Sequence, residues 1–111
     1  MQDERPIVLA ATTKGTLASY HLTTDEESLR EGQVLFQDEA QQLIMDFEVT
    51  KGHALSDTVK LMYAVLAIGN GDVVVVSIKF DKEGPAETQV MCRKTICDIK
   101  LLSVYVANYD S

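Results

Sequence analysis

The sequence predicts an all-β chain in which one antiparallel four-stranded unit is written twice within 111 residues. Three observations predict it. Short apolar or alternating runs recur along the whole length, turns bearing Gly and Asn separate them, and a shift of 56 residues lays the first half over the second. Hydrophobic residues make up 46% and charged residues 24%, so these runs belong to an ordinary globular chain with room for one modest core.

Taken in order, residues 7–11 are a short apolar run behind Pro6, and 16–22 alternate with β-branched and aromatic members. Thr12-Thr13-Lys14-Gly15 between them reads as a tight hairpin connection. Residues 23–32 read as a polar loop holding Asp25, Glu26, Glu27, Arg30 and Glu31. A third run covers 33–37. A fourth covers 43–50, where Leu43, Met45, Phe47 and Val49 alternate against Ile44, Asp46 and Glu48. Residues 51–59 are a loop with Gly52, His53 and Asp57. The run 61–68 has almost no polar position, which predicts burial on both faces.

Gly69-Asn70-Gly71-Asp72 is the strongest turn, since Gly and Asn tolerate positive φ. A Val-rich strand over 72–80 follows, then a loop with Gly84-Pro85, a strand over 88–93, and a closing apolar strand over 96–107. A competing reading makes 38–47 a short helix, because Glu, Ala, Gln, Leu and Met favour one and Leu43 and Phe47 share a face. Residues 25–31 have a similar option of one helical turn.

The repeat carries the architecture. At a shift of 56, Gly15 falls on Gly71, Leu17 on Val73, Leu22 on Ile78, Asp25 on Asp81 and Gln33-Val34 on Gln89-Val90. A shift of 57 pairs Leu9-Ala10 with Leu66-Ala67, and a shift of 52 lays 44–48 on 96–100. The adjustments fall in loops and turns, where length changes cost little. The whole chain, 1–111, therefore reads as one unit: 7–49 hold a partial blade and the innermost strand of the next, and 61–107 hold the second copy.

A four-strand unit near this period is the signature of a β-propeller. Residues 66–78, with their Gly-Asn-Gly-Asp turn ahead of a Val-rich strand, resemble the second and third strands of a WD-repeat blade. Ile96-Cys97-Asp98-Ile99 and Ile44-Met45-Asp46-Phe47 are similar to the innermost strand. Neither copy has the Trp-Asp dipeptide, and the chain contains no Trp, so the blades are degenerate. The resemblance implies a partial propeller; a small β-sandwich is the alternative. It also implies structural turn and hydrogen-bond roles for Gly15, Gly71, Asp46 and Asp98. Two blades cannot close a ring. They need further blades, a second copy in a homo-oligomer, or another protein partner.

Function classes are narrowed by what the residues offer. A net charge of −7 with scattered basic residues argues against nucleic acid. No apolar run approaches the roughly 20 residues of a membrane span, and residues 1–6 lack a signal-like apolar core. Without an export signal, the two cysteines fit a reducing compartment, cytoplasm or nucleus. Cys92 and Cys97 lack the spacing and second pair of a zinc site, and Cys92 copies the apolar slot of Phe36, so neither a metal nor a cofactor is expected. No catalytic grouping emerges. The leading reading is a protein-interaction module with loop contacts at Asp38, Glu39, His53 and Asp57. The competing reading is a propeller enzyme, since the strand-loop-strand rhythm around 44–47 resembles diphthine methylesterases.

Overall fold

A computed structural model describes residues 7–23, 28–96 and 103–107, and the protein is all-β. The first sheet is a three-stranded antiparallel meander of β1 (Ile7–Ala11), β2 (Thr16–Thr23) and β3 (Ser28–Gln37). The second runs β4 (Ile44–Val49), β6 (Val59–Ile68), β7 (Asp72–Asp81) and β8 (Glu87–Thr95). The short β5 (His53–Ala54) pairs with the start of β6 and extends the edge that β4 begins. Between them Thr50 keeps hold of the edge: its N–H donates to the Tyr63 carbonyl, and its hydroxyl accepts the Tyr63 N–H, both at 2.9 Å. Among the described residues no helix is long and apolar enough to cross a membrane.

The sheets pack face to face. Leu17, Leu35 and Phe36 of the first meet Leu66, Val74 and Ile78 of the second, all buried. The valine run over 73–76 shows how the sequence builds this. Strand side chains alternate, so Val74 and Val76 enter the core while Val73 and Val75 are left half-buried on the other face. Each fully buried aliphatic side chain of this kind contributes about 1.5–3 kcal/mol.

Several expectations are corrected. The stretch 38–47 is not helical. Asp38 accepts the Gln42 N–H at 2.8 Å, and Gln41 stands at φ 55°, outside the helical region. Residues 28–32, read as part of a polar loop, are ladder-forming strand whose charged side chains stay exposed. Residues 61–68 are not buried on both faces: Tyr63 is exposed and Val65 half-buried. The closing strand is not seen in its described part. Ile96 lies beyond β8, and 103–107 belong to neither sheet. The helical turn expected at 25–31 falls partly outside the described residues, and its described part is strand.

The two hairpins are alike in detail. Gly15 has φ 81° and Gly71 φ 93°. The Gly15 N–H donates to the Thr12 carbonyl at 3.3 Å, and the Gly71 N–H to the Ile68 carbonyl at 2.9 Å. Ala11 pairs with Leu17 on one hairpin, and Ala67 with Val73 on the other. The shift of 56 therefore holds without adjustment through strand, turn and strand. The third strands drift instead: Leu17 pairs with Phe36 but Val73 with Lys94, because both outer ladders carry bulges.

Candidate functional site

Two polar links tie the sheets together beside the apolar core. Asp38 follows β3, and its carboxylate, 1% exposed, accepts Arg93 Nη1 at 2.6 Å. Arg93 stands on β8 and also donates through Nε to Asp72 Oδ2, at 2.7 Å, on the first residue of β7. Asp72 Oδ1 accepts the Thr95 hydroxyl at 2.7 Å. At the second link, Gln33 of β3 clasps one residue of the β7–β8 loop: its Nε2 donates to the Ala86 carbonyl at 2.9 Å, and its Oε1 accepts the Ala86 N–H at 2.8 Å.

The electrostatics of the first link follow from these contacts. Burial would push the Asp38 carboxyl up, but the Arg93 hydrogen bond, the Gln42 and Ala40 N–H groups and the Arg93 charge hold it below 3.8. Asp72 is held below the same value by the Thr95 hydroxyl, then by Arg93. The Asp38 hydrogen bond raises Arg93 against the opposing effect of burial. The carboxylates are thus ionised at neutral pH with their lone pairs engaged. Such groups fasten structure rather than move protons.

The residues singled out from sequence are dispersed. Asp38 is buried in the link and not available as a loop contact. Glu39 is exposed and edges a shallow depression with Lys14 and Gln37. His53 is exposed on β5 opposite Leu61, and Asp57 is exposed at the rim of a large cleft. Gly15 and Gly71 hold their turns. Asp46 on β4 accepts the Val104 N–H at 3.1 Å. Asp98 and Cys97 lie outside the described residues, and Cys92 is exposed opposite Val75 rather than in a slot matching Phe36. The structure does not bring Glu39 to the cleft that Asp57 borders.

That cleft, about 890 Å³, opens between the sheets and is floored by Leu9, Phe47, Val49, Met62 and Phe80. More telling are the outer faces. On the second sheet Val65 pairs with Val75 and Ala67 with Val73 on the side away from the core, where the three valines are half-buried and Ala67 is fully buried. On the first sheet, Val8 pairs with Tyr20 and Ala10 with Ala18, also facing away. A two-layer sandwich normally presents polar side chains there. Here both outer faces carry apolar stripes. Among the described residues no three of His, Cys, Asp and Glu gather as metal ligands.

Sequence reasoning missed Arg93, Asp72 and Gln33. For Arg93 the signal is masked. Val90 and Cys92 suggest an alternation that turns Arg93 outward, but Val75 pairs with Cys92 and Val76 with Val90. Met91 is the extra residue of a bulge, and it reverses the side on which Arg93 emerges. No protein-family model matches the sequence, and neither a curated protein nor a solved structure is significantly similar to it.

Proposed function

We propose that the chain is a non-enzymatic protein-interaction module of the cytosol or nucleus, a part of a WD-repeat-like β-propeller that works between further blades or protein partners. One observation carries the reading: among the described residues each sheet has apolar side chains on both faces, and on the outer faces Val8, Ala10, Ala18 and Tyr20 of the first sheet and Val65, Val73 and Val75 of the second keep part of their surface open. Contiguous apolar surface of this kind marks association sites on proteins that remain in solution. Supporting it are two antiparallel meanders with matching hairpins, stacked by their faces as blades are. The acidic balance leaves protein rather than nucleic acid as the partner class.

Site-specific photo-crosslinking tests this in cells. A benzophenone side chain at Val75 or Tyr20 is expected to give discrete adducts with another polypeptide chain, whereas one at Glu83, in the exposed β7–β8 loop, gives few. Absence of adducts from both faces overturns the proposal.

A further inference from the structure

We infer that the covering partner is a second copy of this chain, with the outer face of the second sheet docking onto the outer face of the first sheet of the next copy. The inference rests on the interaction-module reading and names its partner.

The shared hairpin frame supplies the argument. Ala11, Leu17 and Ser19 of the first sheet occupy the positions held by Ala67, Val73 and Val75 in the second. The first set lies on the face that packs inside the chain, where Leu17 and Ser19 are buried. The second set lies on the outer face. The converse also holds: Val74, Val76 and Ile78 pack inside, and their counterparts Ala18, Tyr20 and Leu22 are half-buried on the first sheet's outer face. The molecule thus displays, on opposite sides, both halves of an interface it already makes internally. A surface pair of this kind is complementary head to tail between copies, not face to itself.

A second observation points the same way. β1 is an end strand with one unpaired edge, so the first sheet has three strands where the path of the second has four. β4, which follows β3, crosses to fill that edge position on the second sheet. Residues 103–107 follow β8 in the same way, yet join neither sheet. They leave on the outer side of the second sheet, where the Val104 N–H is held by Asp46, the ladder partner of Ala67. Val104 and Val106 alternate as half-buried positions between exposed neighbours. This segment is the strand that completes the first sheet of the next copy. With two sheets per chain, rings of two or three copies give about four or six blades, inside the range in which propellers close.

The new interface differs from the internal one in one respect. Asp38 donates its N–H to the Gly15 carbonyl, and Ile96 donates its own to the Gly71 carbonyl, so Ile96 stands where Asp38 stood. No carboxylate recurs at that point; the apolar stripes are instead flanked by Glu48 and Lys94, the ladder partners of Val65 and Val73, and by Glu31, the ladder partner of Tyr20, so charges rim the contact.

Light scattering on the full chain, fractionated by size, tests this. The expected mass is two or three times that of one chain. Val75→Glu and Tyr20→Glu, which keep the strand signal in circular dichroism, each give monomers. Mixed in equal amounts they form a heterodimer, because each retains the face the other has lost. If a Glu variant fails to fold, Val75→Thr and Tyr20→Ser are expected to weaken self-association at least tenfold. A monomeric wild type at about 100 μM, or an oligomer indifferent to either substitution, overturns the inference. If such a monomer still crosslinks through Val75 to a different protein, the module reading survives and only the second copy is excluded.

Discussion

Arg93 on the last strand of the second sheet reaches Asp38 beyond the last strand of the first, Nη1 to Oδ1, at 2.6 Å. The contact joins residues 55 positions apart in sequence, so it forms only when the two sheets have stacked. It is a latch on the tertiary arrangement, not on either sheet alone.

Removing the cation while leaving the buried carboxylate tests the latch. Arg93→Met should destabilise the chain by about 2–3 kcal/mol; the full loss for a buried pair is about 3–5, reduced here because Arg93 is 36% exposed. Adding Asp38→Leu should recover part of that loss, because much of it comes from stranding the charge. Urea unfolding of the two single variants and the double variant measures the coupling. Strict additivity means the latch contributes nothing.

Acid should open the same latch. Asp38 and Asp72 are both held below 3.8 in the folded chain, so between the folded and unfolded values the unfolded state binds more protons. Their contribution is complete above the unfolded value, and it is lost as pH falls through the folded ones. The melting temperature is therefore expected to hold from about pH 7 to 5 and to drop below about pH 4. Arg93→Met should flatten that acid limb, since it removes the charge that lowers both carboxyls. A drop as steep in the variant as in the parent assigns the acid sensitivity to other groups.

Much of the strand framework is legible in the sequence, because hairpins with tight Gly turns announce themselves locally. Gly15 and Gly71 are each needed at positive φ, and the 56-residue shift between them carries through both flanking ladders. What was not legible depends on partners distant in sequence. Residues 28–32 look like loop because Arg30 and Glu31 are charged, yet an exposed ladder tolerates them and pairing with β2 decides the conformation. The helical propensity of 38–47 lost to one side chain, Asp38, whose carboxylate takes the Gln42 N–H instead. The inter-sheet latch was hidden for a related reason, since a bulge leaves no compositional mark.

Gly15 should be the least replaceable turn residue. Its φ is 81°, and a Cβ there would lie 2.7 Å from both the Asp38 Cβ and the Gln42 carbonyl oxygen. Gly15→Ala thus combines left-handed strain with a clash against the segment that carries Asp38. A loss of about 2–3 kcal/mol is expected, read by thermal melting. A change under about 0.5 kcal/mol would show that this turn relaxes freely.

Gln33 offers a gentler probe of the second link. Its amide exchanges two hydrogen bonds with the backbone of Ala86. Gln33→Ala leaves that N–H and carbonyl to water at the cleft, with an expected cost of about 1–2 kcal/mol. Amide exchange at Ala86 should accelerate while exchange at Val74 and Val76, in the core of the second sheet, is nearly unchanged. Uniform acceleration across both sheets would mean that the link governs global rather than local opening.

Deleting Met91 is the sharpest test of the bulge. With that residue gone, Val90 and Cys92 become neighbours opposite Val76 and Val75, so β8 can pair with β7 in unbroken alternation with the register kept on both sides. The segment near the turn is pinned, because Thr95 bonds Asp72 and the Ile96 N–H bonds the Gly71 carbonyl. Gln89 and Val90 keep their partners Ser77 and Val76, and Arg93 keeps its place opposite Val74 and against Asp38. The deletion should leave both the acid limb of the melting curve and the Gln33–Ala86 link intact. If the acid limb flattens instead, Arg93 has swung outward, and the bulge rather than the turn is what aims it.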